Sequence, residues 1–438
     1  MRRFVIIGTG VAGISAAETI RRKNPAADIL VIGDEKHGFY SRPGLAYYLT
    51  GELNEQHLNP YSQQDFERLN LQPLRARVTR IHPLDHKIQL HDWALVPYDR
   101  LLIATGAQAA RITTPGADLE GVVKLDNLDD AQHILSQIRR TRAAVVVGGG
   151  ITALEIVEGF RQRRISTHYF LRRDRYWGNV LDETESRIVE RRLEEEGVHI
   201  HYHTELAEIH GRRGRVESVR TQDGRVIKCG IVAVAIGIRP RKELAVEAGV
   251  KTDRGILVNE CLQTSQDHIF AAGDVAHVYD PFTNRHVLDS LWGPAREQGR
   301  VAALNMIGEQ AVYHKDVAFN VTRLAGLTTT IVGTVSSGTD EDLIGIARGD
   351  SETWRQPPDA IAAQDDFDVN RLRLLVGART LTGAVVMGDQ SLSRAIHHLI
   401  KDRIDISSIR TKLLQADAPI ADLIADFWTA RRAAFGTD

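Results

Sequence analysis

A chain of 438 residues exceeds one ordinary core and points to two or three domains. With 43% hydrophobic and 26% charged residues it has a globular composition, and a net charge of −2 gives no hint of nucleic acid or an anionic membrane as partner. No apolar run approaches the roughly 18–20 residues of a membrane helix, and the 2 cysteines, Cys229 and Cys261, form neither a CxxC pair nor a zinc or iron–sulfur cluster. Both cysteines suit small buried hydrophobes, so any electrons handled here need an organic cofactor or an external centre. The chain opens at once on a strand pattern with no signal peptide ahead of it, which leads us to expect a cytoplasmic protein.

The first segment, RFVIIGTGVAGISAAETIRRKNPAADILVIGDE, reads as a complete βαβ unit. A strand at Phe4–Ile7 runs into Gly8-Thr9-Gly10-Val11-Ala12-Gly13; a helix follows, and a second strand, Ile29–Ile32, closes on Asp34-Glu35. Gly8 permits the tight turn, Gly10 lets backbone amides approach a pyrophosphate, and Gly13 lets helix and strand pack closely, with Ala12 in the helical turn that faces the phosphates. Asp34 or Glu35 can bind an adenosine ribose hydroxyl. Next, FYSRPGLAYYLTGEL reads as a loop entering a helix, and YDRLLIATGA ends an apolar strand on Thr105-Gly106.

The βαβ pattern then recurs in AAVVVGGGITALEIVEGFRQRRISTHYFLRR. Val145–Val147 precedes Gly148, Gly150 and Ala153, Ile151 and Thr152 open the helix, and a second strand covers Thr167–Leu171. Two such folds suggest two dinucleotides. Later, Ile269–Ala272 runs into Gly273-Asp274. Near the C-terminus, RLRLLVGARTLTGAVVMGD reads as two strands joined by a Gly-containing turn, and SLSRAIHHLIKDRI as a helix with Leu392, Ala395, Ile396, Leu399 and Ile400 on one face. Between them GDSETWRQPPDAIAAQDDFD is polar, contains Pro357-Pro358 and reads as a loop or exposed edge.

Four motifs in order, GxGxxG, ATG, GGGxxA and AAGD, resemble those of the two-dinucleotide flavoprotein reductases, the pyridine nucleotide–disulfide oxidoreductase superfamily, over residues 1–310. The resemblance implies an α/β fold of two Rossmann-like dinucleotide-binding domains, glutathione-reductase-like, plus a small C-terminal α+β domain. It places a discontinuous FAD domain at 1–108 and 238–318, an NAD(P)H domain at 109–237, and a C-terminal domain at 319–438 of the kind that often mediates dimerisation. It assigns Asp274 to the flavin ribityl chain. LWGPAREQGRVAALNM is similar to the Trp-x-x-Ala-x-x-Gln-Gly segment of ferredoxin and rubredoxin reductases and nitrite reductase flavin parts, through Trp292, Ala295, Gln298 and Gly299. Small residues there let backbone approach a flat ring, and a helix N-terminus stabilises negative charge at the flavin N1–C2=O edge. Trp292 alone also suits a packed core aromatic.

In the second fold the position that usually carries an acid for the ribose 2′- and 3′-hydroxyls is Leu171, followed by Arg172 and Arg173. Arginines there can clamp a 2′-phosphate, which favours NADPH with NADH possible, although both also suit solvated surface charges. The resemblance places Glu155 and Gly237 near the nicotinamide; Glu155 is also compatible with a plain surface helix position. In the loop, the resemblance puts Pro43 where disulfide-type members carry a redox cysteine, and Tyr47 where ferredoxin-type members carry a lysine near flavin N5. Arg42 suits either a place beside the pyrophosphate or flavin ring or a purely structural role.

Without a thiol in the loop, no mixed disulfide or sulfenic acid forms there, and the flavin alone would carry both electrons. The expected function is an FAD-dependent NAD(P)H oxidoreductase serving a ferredoxin- or rubredoxin-like carrier protein or a partner enzyme subunit, as a homodimer and without a metal. Two alternatives stand beside it: a peroxide-forming NAD(P)H oxidase, and a low-turnover redox-sensing interaction flavoprotein.

Overall fold

The structure, a computed structural model, describes residues 2–281, 284–335, 370–415 and 418–435. The polar stretch around Pro357-Pro358 lies outside the described residues. The chain divides into two compact units, one holding residues 2–172 and 203–315, the other 173–202 with the described residues from 316 onward.

In the first unit, a parallel sheet runs in the order Ile269–Ala271, Arg100–Ile103, Arg3–Ile7, Asp28–Gly33, Leu74–Arg75. Its central strand aligns Phe4 with Ile29 on one side and with Arg100 on the other. A strand covered on both faces reads as an unbroken apolar run, which is why RFVII shows no alternation; Phe4 to Ile7 are all buried. The helix Val11–Lys23 covers the sheet through Ile14, Ala16, Ala17 and Ile20, and the helix Trp292–Ile307 joins the same core through Val301, Ala302, Ala303 and Met306.

The chain leaves this sheet after Arg100–Ile103 and builds a second parallel set, in which Ser166–Phe170, Ala143–Val147, Ile231–Val234 and Val122–Val123 lie side by side. It crosses between the two sheets twice, and the crossings pair: Ala107–Ala109 runs antiparallel to Ile238–Pro240. The strand expected at Thr167–Leu171 is observed at Ser166–Phe170.

The second unit contains a four-stranded antiparallel sheet in the order Phe319–Leu324, Leu327–Gly333, Leu381–Met387, Arg371–Val376. The last two are the strands the sequence pattern predicts. The helix Ser393–Lys401 buries Ala395, Ile396, Leu399 and Ile400, while Leu392 stands just ahead of it as N-cap. Helix Glu183–Glu195 belongs to this unit; its Asp182 and Glu185 form a capping box, and Arg373 binds the fully buried Glu185 carboxylate through two hydrogen bonds of 2.7 and 2.9 Å.

Candidate functional site

A cavity of about 1030 Å³ opens in the first unit at the carboxyl ends of the first parallel sheet, slightly above the ~300–1,000 Å³ typical of small-molecule sites. The first glycine turn forms one wall. Gly8 sits at φ +123°, and a Cβ there would fall on the Ala104 carbonyl oxygen. A Cβ at Gly13 would likewise fall on the Gly8 carbonyl oxygen, and one at Gly299 of the helix Trp292–Ile307 on the Ala12 carbonyl oxygen. At Gly10 the space a Cβ would take is open. Gly10 caps the helix Val11–Lys23 in extended conformation with no side-chain cap, and no acid lies in the first helical turn. The helix thus presents backbone amides and its positive end to the cavity, as a pyrophosphate requires.

Asp34 and Glu35 both line the cavity at the end of the strand Asp28–Gly33. Asp34 is exposed. Glu35 pairs with Arg42, and the Tyr40 hydroxyl donates to its other oxygen at 2.8 Å. Burial pushes the Tyr40 phenol far above its ordinary range, so it remains a donor. Arg42 also lines the cavity, donating from Nη1 to the Asp126 carbonyl at 2.8 Å. Pro43 is buried in the same wall. Tyr47, on the short helix Leu45–Thr50, is 6% exposed and is not among the residues lining the cavity.

At the other wall are Thr105, Gly106, Gly273, Asp274, Trp292 and Ala295. Thr105 donates its hydroxyl to the Arg241 carbonyl at 2.8 Å. Gly273, at φ +80°, has its amide held by the buried Gln298 side chain at 2.8 Å. Gln298 therefore shapes the turn that carries Asp274 and does not itself line the cavity. Trp292 is half-buried and stacks on Phe39, with centroids 5.8 Å apart and planes 16° apart, while facing the cavity. It is thus packed aromatic and cavity wall at once.

The second glycine turn repeats the geometry of the first. Gly148, at φ +145°, approaches the Ala235 carbonyl as Gly8 approaches Ala104. Gly150 caps the helix Ile151–Gln162 in extended conformation without a side-chain cap, so Ile151 and Thr152 form its first turn. Glu155 is only 9% exposed, so it does not occupy a plain surface position. Gly237 is exposed at φ +117° with open space where a Cβ would stand. Arg172 and Arg173 are exposed.

Sequence reasoning missed Asp126, Arg241 and Ser290. Asp126 is 4% exposed, and Arg241 donates to its carboxylate at 2.9 Å across 115 residues of chain. No local motif marks that pair. The Ser290 Oγ is buried in the cavity wall with no hydrogen-bond partner among the described residues. An orphaned hydroxyl of this kind is costly unless a ligand meets it. Together with the open space at Gly10 and the uncapped helix end, it makes the cavity fit for a large polar cofactor such as FAD. Cys229 and Cys261 are free thiols outside the cavity lining, and burial pushes the Cys229 thiol up to about 12. Among the described residues no cluster could hold a metal, and no helix is long and apolar enough to cross a membrane.

Residues 2–299 match the family of pyridine nucleotide-disulphide oxidoreductases. The nitrite reductase [NAD(P)H] of Bacillus subtilis (strain 168) is 27% identical over 93% of this chain and 48% of its own length, so the chain spans about half of that relative. The probable ferredoxin reductase CtmF of Castellaniella defragrans is 32% identical over 70% of this chain and 76% of its own. Among solved structures, the ferredoxin reductase for the CYP199A2 system from Rhodopseudomonas palustris superposes with a TM-score of 0.81 over 96% of this chain and 99% of that one, at 22% identity, a likeness of fold.

Proposed function

The chain belongs to the pyridine nucleotide-disulphide oxidoreductase family, and from that premise we propose that it is an FAD-dependent NAD(P)H:acceptor oxidoreductase. Its acceptor in this reading is a ferredoxin- or rubredoxin-like carrier protein or a partner enzyme subunit. The observation that carries the reading is the pairing, in one compact unit, of a 1030 Å³ cavity at the first glycine turn with a second glycine turn of the same geometry. When bound, FAD supplies hydride acceptance from nicotinamide and electron delivery to the acceptor.

The chain's own residues bind and orient. Gly8, Gly10 and the first turn of the helix Val11–Lys23 receive the pyrophosphate, Asp34 or Glu35 an adenosine ribose, and Asp274 the ribityl chain. The N-terminus of the helix Trp292–Ile307, with Ala295, offers its positive end to the flavin's pyrimidine edge. Gly148, Gly150 and the helix Ile151–Gln162 receive the nicotinamide dinucleotide, with Glu155 and Gly237 near its reactive ring. Arg172 and Arg173 favour NADPH over NADH. The proposal includes an FAD domain at 1–108 with 238–318, an NAD(P)H domain at 109–237, a C-terminal domain at 319–438, a homodimer and a cytoplasmic location.

Steady-state turnover of NADPH and NADH, under nitrogen and in air, with several carriers, tests the reading. Fast turnover that needs a carrier supports it. Turnover that needs oxygen makes the protein an oxidase, and slow turnover under every condition makes it a redox sensor.

A further inference from the structure

Between its two glycine turns the chain crosses outward and back, and both crossings meet at one carboxylate. The crossing strands Ala107–Ala109 and Ile238–Pro240 form a two-stranded ribbon, which by itself is a weak tie. Asp126 lies on the outbound side and Arg241 on the inbound. Arg241 donates to Asp126 Oδ2 at 2.9 Å, while its amide donates to the Gly106 carbonyl at 2.9 Å and its carbonyl accepts from Thr105 at 2.8 Å. Lys124 stands 3.7 Å from the same carboxylate, and Asp130 holds both the Lys124 ammonium (2.7 Å) and the Asp126 amide (3.0 Å). From the first fold, Arg42 donates to the Asp126 carbonyl at 2.8 Å. Arg42, Asp126 and Arg241 all line the cavity.

We infer that Asp126 is a positioning residue: its carboxylate, held by Arg241, and its carbonyl, held by Arg42, clasp the second dinucleotide fold against the cavity of the first. The clasp sets the approach of a nucleotide bound at Gly148 and Gly150 to a flavin in the cavity. This inference rests on the proposed reading of the two sites. A misplacement of about 1 Å between reacting atoms costs on the order of a hundredfold in rate, and removing one member of a largely buried ion pair leaves its partner less well compensated.

The test uses the FAD-loaded protein and the variants Asp126→Asn, Arg241→Gln and the double variant. Two readouts are taken: flavin bleaching by saturating NADPH or NADH in anaerobic rapid mixing, and amide deuterium uptake across 107–109 and 238–240. Compared at equal bound FAD, each single variant is expected to bleach roughly tenfold to a hundredfold more slowly and to take up deuterium faster in both strands, with FAD content and reduction by dithionite measured alongside. The double variant is expected to be no worse than the singles, because the surplus charge is gone. Parental bleaching and parental exchange in Asp126→Asn overturn the inference, as does slow bleaching explained wholly by lost FAD. Should Asp126→Asn not fold, Arg241→Gln carries the same test. If the parent is bleached by neither nucleotide, the proposed function fails, and the exchange readout still decides the clasp.

Discussion

Asp274 faces the cavity from a turn whose preceding amide is pinned by Gln298, so its carboxylate is presented by a rigid support. A charge-assisted hydrogen bond is worth about 1.5–3 kcal/mol, and Asp274→Ala is therefore expected to weaken FAD binding on the order of tenfold to a hundredfold. The FAD-to-protein ratio after gel filtration reads this out; an unchanged ratio removes the assignment. Arg172 and Arg173 are exposed, and in the proposed reading they favour a 2′-phosphate. The parent is expected to prefer NADPH, and Arg172→Ala with Arg173→Ala to raise its KM for NADPH by a similar factor while sparing NADH. Equal use of both nucleotides by the parent would sink the assignment. At this scale the glycines are legible in the sequence because each answers a local backbone demand: Gly8 and Gly148 sit at positive φ against a carbonyl. Asp126 and Arg241 are not legible, because their meaning arises only when residues 115 apart in the chain come together.

The helices Val11–Lys23 and Trp292–Ile307 touch where Gly299 meets the Ala12 backbone. A methyl there has no flexible side chain to displace, so Gly299→Ala is expected to cost about 1–3 kcal/mol and to lower FAD content with it, since Ala12 also lines the cavity. Denaturant unfolding against the parent measures the cost, and parental stability would mean that the two helices separate freely. In the second unit, burial pushes the Asp182 carboxyl up, but the Glu185 amide, Arg371 and Arg373 outweigh it and hold it below the usual range. The sign follows: the stabilisation is present above the unfolded carboxylate value of about 3.9 and is lost as pH falls through the depressed folded value. Asp182→Asn is thus expected to be less stable at pH 7, with its unfolding curve converging on the parent's in acid; parallel curves would count against it. Elements with a long apolar run or a clear helical face, such as Phe4–Ile7 and Ser393–Lys401, are legible from pattern alone. Two-residue strands such as Leu74–Arg75 and Val122–Val123 carry no period, and only their sheet neighbours define them.

For the whole molecule, the decisive quantity is how many electrons it stores. The repeated βαβ units could be read from sequence because each is a local pattern. The return of Ile269–Ala271 to the first sheet could be placed only by resemblance, since sheet order is a long-range property. The same resemblance marks Pro43 as the residue in place of a redox thiol, and in the structure Pro43 forms cavity wall while neither cysteine does. Cys229 is buried with its thiol pushed up to about 12, so almost none of it is thiolate at neutral pH. Dithionite titration under nitrogen is therefore expected to consume two electrons per non-covalent FAD. A flavin–disulfide pair would take about four, two for each two-electron couple. No long-wavelength band from a thiolate over the flavin should form, and omitting nucleotide from the titration keeps nicotinamide bands from imitating one. Thiol-blocking reagents should leave turnover intact, with Cys261 the more informative target because it is half-buried and free. Uptake of four electrons, a thiolate band, or inactivation on blocking would place a cysteine in the redox path, and electron flow through the flavin alone would have to be abandoned.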